Sequence, residues 1–157
     1  MKVKQFFIGI AILFSSPIFA QNQYKCLVQT INYSGEAAYM AVSLISPKGE
    51  YEKTLYVFGD DGQWYDSLKK WFGFYEKKNE KIDAITGASI LGGERKTIML
   101  DLDNEKLNKG YSIRFESAVE DQYYYNLDAE IPFSEEGLKG KAEGKGYIRY
   151  VRIVPSK

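Results

Sequence analysis

The chain of 157 residues contains no histidine. That absence removes Ser-His-Asp and Cys-His nucleophilic catalysis, histidine-ligated zinc and histidine-ligated haem. There is one cysteine, Cys26, so an internal disulfide and a single-chain iron–sulfur cluster are excluded as well. Redox chemistry in this chain therefore has to come from an organic cofactor. Neither sign of charge is in excess, with 21 basic and 21 acidic residues. Phosphate binding needs clustered Lys and Arg, so the balance argues against nucleic acid as a partner. It also argues against an electrostatic role at a membrane surface. The longest early apolar run, Phe6 to Phe14, is too short to cross a bilayer.

That run belongs to a different device. Lys2 and Lys4 precede it, Ser15, Ser16 and Pro17 break it, and Ala20 supplies a small residue before Gln21. The pattern is that of a secretory signal peptide over residues 1–20, cleaved after Ala20. Residues 21–157 then form one domain, exported to the periplasm. Gln21 to Lys25 separate Cys26 from the apolar run. The cysteine is thus expected inside a first strand, not at a lipid attachment site.

What the chain does have is short alternating segments between turn signals. Strands are expected at Tyr24 to Asn32, Ala38 to Ile45, Tyr51 to Phe58, Arg95 to Leu102, Tyr111 to Val119, Gln122 to Ile131 and Tyr147 to Val154. Ala38 to Ile45 is apolar on both faces, which suggests a central position. Ser46-Pro47-Lys48-Gly49 has turn chemistry and closes a hairpin. One helix is expected over Gln63 to Tyr75, because Trp64, Leu68, Trp71 and Phe72 recur at helical spacing. Asp60 or Asp61 is placed to cap it. Tyr65 is the aromatic expected to point outward. Ser134 to Gly146 is charged and glycine-rich and reads as a mobile loop. The expected fold is an all-β, antiparallel, immunoglobulin-like β-sandwich of about seven strands with one short inserted helix. A small barrel is the second architecture compatible with these segments. No βα alternation supports a Rossmann-type sheet.

Asp83-Ala84-Ile85-Thr86-Gly87-Ala88-Ser89 stands out between the helix and the next strand. It has an Asp, a hydroxyl three residues on, then Gly-Ala and a second hydroxyl. Ordinary turn chemistry explains part of it, since Asp starts turns and Gly ends them. The segment also resembles the acceptor motif for covalent flavinylation of extracytoplasmic bacterial proteins. There an FAD:protein FMN transferase places FMN on a Ser or Thr through a phosphoester. The resemblance implies Ser89 as acceptor and Asp83, Thr86, Gly87 and Ala88 as the recognised segment. An exposed, pliable loop suits that chemistry, with Gly87 free to take positive φ and Asp83 free to form an Asx-type bond.

The wider chain resembles a family of predicted periplasmic proteins, domain-of-unknown-function family 2271. Tyr39 to Val42, Lys53 to Asp61, Trp64-Tyr65, Leu68 to Trp71, Asp83 to Ser89 and Gly110 to Ala118 carry the likeness. It implies an immunoglobulin-like sandwich, and company with flavin transferases and PepSY-type membrane proteins in extracytoplasmic electron transfer. Ile90-Leu91-Gly92-Gly93 stands where family members often have Arg and Pro after the hydroxyl. The functional expectation is a non-enzymatic electron carrier with FMN on Ser89. The alternative is a β-sandwich binding module without flavin that docks to an envelope or PepSY-type membrane protein. A histidine-free hydrolase is a third, weaker option, since no carboxylate pair is singled out. The clusters Asp60, Asp61, Asp66 and Asp101, Asp103 lack calcium-loop spacing and read as solvated acidic turns. Tyr123, Tyr124 and Tyr125 lie on one strand, so Tyr124 should face away from the other two.

Overall fold

A computed structural model describes residues 22–156. The expected signal peptide and its cleavage point lie outside the described residues. Seven strands of seven to nine residues form, at the places the alternation indicates: β1 Asn22–Thr30, β2 Tyr39–Ile45, β3 Tyr51–Phe58, β5 Arg95–Leu102, β6 Ser112–Ala118, β7 Tyr124–Pro132 and β9 Ile148–Pro155. Two-residue strands β4 (Thr86–Gly87) and β8 (Ala142–Glu143) are added at sheet edges. One sheet has the order β5-β1-β9-β8 and the other β4-β3-β2-β6-β7. Pairing is antiparallel except between β3 and β4. The result is a two-sheet sandwich, not a barrel.

Side-chain alternation fills the space between the sheets. Cys26 and Val28 of β1, Met40 and Val42 of β2, Phe115 of β6 and Val151 and Ile153 of β9 are all fully buried there. Burial pushes the Cys26 thiol up to about 12, so it packs as a small apolar group. As expected, β2 is central and buried on both faces.

A second apolar cluster lies on the outer face of the five-stranded sheet, under helix α1 (Lys69–Lys78). The expected single helix is in fact two pieces. A 3-10 turn over Gly62–Ser67, capped by Asp61, precedes α1, and Leu68 breaks the two at φ −89°, ψ 60°. A 3.6-residue period does not run through that break. Leu68 and Trp71 are buried as expected, but Trp64 is 42% exposed and Tyr65 only 7%. The outward aromatic is thus Trp64, not Tyr65.

The edge of β3 is short of strand partners. β4 pairs only with Val57 and Phe58. Further along, the Thr54 N–H donates to the Glu80 carboxylate at 3.2 and 3.3 Å, and the Thr54 hydroxyl donates to it too.

Ser134 to Gly146 is fastened, in contrast to the expected mobile loop. It holds a 3-10 turn (Gly137–Lys139) and β8. Buried Asp128 accepts the N–H groups of Lys145, Gly146 and Ile148 at 2.7 to 3.0 Å, and the Ser117 hydroxyl. Sequence alternation does not reveal such long-range carboxylate-to-backbone ties.

Candidate functional site

The segment Asp83 to Ser89 is built into the sheet. Asp83–Ile85 form a 3-10 turn and Thr86–Gly87 form β4 beside β3. Thr86 Oγ1 donates to the Ile82 carbonyl at 2.8 Å and closes the turn. Asp83 is exposed in that turn, which has no side-chain cap bond. Thr86 therefore does the organising expected of Asp83. Gly87 needs no positive φ; it needs the absence of a side chain. A Cβ there would run into the Tyr56 hydroxyl. Its carbonyl accepts the Gly59 N–H at 2.6 Å, and Gly59 itself has φ +126°.

Beyond β4, Ala88 is exposed and Ser89 is half-buried. Ser89 is anchored through its backbone: Lys96 Nζ donates to its carbonyl at 2.7 Å and to that of Ala88 at 3.3 Å. The next residue, Ile90, is fully buried and exchanges backbone hydrogen bonds with Ala38 at 2.8 and 3.1 Å. The Tyr33 hydroxyl donates to the Ile90 carbonyl at 2.5 Å. Ile90 thus acts as an apolar peg directly after the serine. The expected pliable loop is a fixed platform, because both its ends are hydrogen-bonded to neighbouring strands.

Ser89 lies on the wall of a cleft of about 820 Å³. That is within the size range of small-molecule and cofactor sites. Tyr39, Trp64, Tyr123 and Tyr124 line it too. Trp64 and Tyr123 are exposed, at 42% and 68%. The tyrosine triplet alternates as expected. Tyr124 joins the cluster under α1, while Tyr125 packs on the inner core with Tyr147, ring centroids 5.3 Å apart. The acidic side chains Glu36, Asp66, Glu120 and Asp121 also line the cleft, with Lys69 as its cation. Asp60 and Asp61 are outside this lining, and Asp61 serves as a cap. Among the described residues no group of three or more Cys, Asp or Glu is placed to hold a metal ion.

One wall of the cleft is held by a buried carboxylate. Glu116 of β6 is fully buried under α1 and accepts the hydroxyls of Tyr51 and Tyr124. It also accepts the Trp71 N–H at 3.3 Å, and the Tyr124 oxygen accepts the Lys70 N–H at 2.9 Å. These are first-turn N–H groups of a helix whose N-cap, Leu68, offers no side-chain oxygen. β6 and β7 thus supply the cap, and negative charge there suits the helix dipole. Loss of hydration raises the Glu116 carboxyl, partly offset by the hydrogen bonds it accepts. Burial, and then Glu116, raises both phenols above the usual tyrosine range. Sequence reading missed Glu116. Its one signal is a carboxylate at an alternation position that ends up covered.

The cleft lining thus sets four carboxylates against one lysine. Lys96 lies outside that lining, with its Nζ on the Ala88 and Ser89 carbonyls, while the exposed Trp64 and Tyr123 rings offer apolar planes in the cleft. No curated protein and no solved structure matches the chain. The model of one family, domain of unknown function 2271, "predicted periplasmic protein", matches residues 21–150, nearly all of the described sandwich. By that match the chain belongs to family 2271 and is a periplasmic protein.

Proposed function

We propose that the protein is a covalently flavinylated electron carrier of the periplasm, with FMN esterified to Ser89. The observation that carries the reading is that this serine and exposed aromatic rings line one cleft. Transfer forms an Oγ–P bond on Ser89 and breaks the pyrophosphate of FAD. AMP leaves, and the hydroxyl proton goes to a base of the FAD:protein FMN transferase. Exposed Asp83 and Ala88 are the side chains that enzyme meets first, and Thr86 and Gly87 keep the segment in shape. The flavin supplies one- and two-electron chemistry when attached. The chain's own groups would position it: Lys69 would be the cleft cation available to the phosphoester, Lys96 would hold the backbone of Ala88 and Ser89, and Trp64 would offer a stacking plane. Nothing in this role asks the protein to bind a second substrate, so it is a carrier and not an enzyme. Its electron donor is a membrane protein of PepSY type or similar.

The test is co-expression with a flavin transferase, followed by denaturing electrophoresis and in-gel flavin fluorescence. A fluorescent band in the wild type that is lost in Ser89→Ala is the expected result. A dark wild-type band, beside a known acceptor that glows, overturns the reading and leaves the flavin-free docking module.

A further inference from the structure

The near-neutral charge total hides an uneven surface. Residues of β1 that alternate with Tyr24, Cys26 and Val28 point away from the core. Across the four-stranded sheet, Lys25 lies between Met99 and Val154, Leu27 between Thr97 and Arg152, and Gln29 between Arg95 and Tyr150. These rows form an outer face away from α1, which packs on the other sheet. At one end Arg95, Arg152, Lys139, Lys141 and Tyr150 surround a shallow hollow of about 610 Å³ over Leu27, with no acidic residue in its lining.

Part of the hollow is preset. Arg95 Nε donates to Gln29 Oε1 at 2.9 Å, and its Nη2 donates to the Tyr150 hydroxyl at 3.2 Å. Lys141 Nζ lies 5.1 Å from the Tyr150 ring centroid. Acids do approach from outside. Lys139 pairs with Glu136 at 2.9 Å and Lys141 with Glu143 at 3.7 Å. Both pairs are solvent-exposed, so they compete weakly with a stronger anion. The two arginines have guanidinium geometry suited to phosphate oxygens.

We propose that this face docks the domain on an anionic phospholipid bilayer, with headgroup phosphates among Arg95, Arg152 and Lys141. Three observations favour a bilayer over a free anion. The hollow is shallow and open. Beyond the hollow, Lys25 adds a further cation on the same sheet face, which also carries Asp101. Apolar side chains lie between the cations, with Met99 43% exposed and Leu27 and Val154 half-covered. The acid-lined cleft belongs to the other sheet, so docking through this face leaves the Ser89 cleft uncovered.

The test is co-sedimentation of protein recovered from periplasmic extracts with phosphatidylglycerol–phosphatidylcholine vesicles or pure phosphatidylcholine vesicles. Binding only to the charged vesicles, released by high salt, is expected. Each cation near such a surface is worth roughly a fivefold change in binding. Arg95→Gln with Arg152→Gln should therefore lose about 25-fold. Lys53→Gln with Lys109→Gln, an equal charge change elsewhere, should stay within about twofold. Circular dichroism melting is the check that both double variants are folded. Equal binding to neutral vesicles, equal loss in the two double variants, or saturation by inorganic phosphate or an acidic polypeptide without vesicle binding overturns the proposal.

Discussion

Phe115 and Glu116 are neighbours on β6 but belong to different kinds of interior. Phe115 points between the sheets, into a core made of aliphatic and aromatic side chains. Glu116 points the other way, under α1, among tyrosines and a tryptophan. The inner core is held by filled volume, which is non-directional. The outer layer is held by directed bonds that fix where α1 sits, and with it the Trp64–Lys69 wall of the cleft. The Trp71 indole shows the same principle: its ring stacks on Tyr75 at 5.1 Å while Nε1 donates to Thr54 Oγ1 at 2.9 Å. One side of the sheet thus provides stability and the other provides position.

Breaking the first side should cost most. Phe115→Ala should lose about 3–5 kcal/mol of unfolding free energy, read as a lower urea midpoint. Breaking the second should cost less and act locally. Glu116→Ala leaves two hydroxyls and a helix N–H without their acceptor, about 1–3 kcal/mol. It should also shift Trp71 fluorescence before global unfolding, whereas Phe115→Ala should shift it only with unfolding. The carboxylate gives a pH signature as well. Because the folded state raises Glu116, its contribution is full below the unfolded carboxyl value and fades as pH rises through the folded one. Stability should therefore fall from mildly acid toward neutral pH by this group's share. That slope should vanish in Glu116→Gln, as measured by urea titrations at several pH values. The smallest effect belongs to the cleft wall: Ser89→Ala should change stability by no more than about 0.5 kcal/mol. The same variant is the one expected to lose the flavin.

The strands were legible because half-buried alternation is local. β3 and β5 begin and end where the sequence pattern does, at Tyr51–Phe58 and Arg95–Leu102. What local pattern missed depended on partners far along the chain. The Trp64 and Tyr65 exchange follows from a helix break at Leu68 that spacing alone does not show. The Asp83–Ser89 segment was legible as a motif, but its anchoring by Lys96, Ala38 and Tyr33 was not. The cleft joins Tyr39, Trp64, Ser89 and Tyr123 from four separate stretches, so no single stretch announces it. A whole-chain charge balance likewise averages an acid-lined cleft against a basic sheet face.

The Glu80 carboxylate on Thr54 has a consequence for association between chains. A bare strand margin is a template on which another chain can grow a cross-molecular ladder. Along β3 that margin is plugged at one point by an acid and at another by β4. A guest strand would have to displace that carboxylate before a rung formed at Thr54, so a side chain that belongs to neither sheet shares with β4 the guarding of this margin.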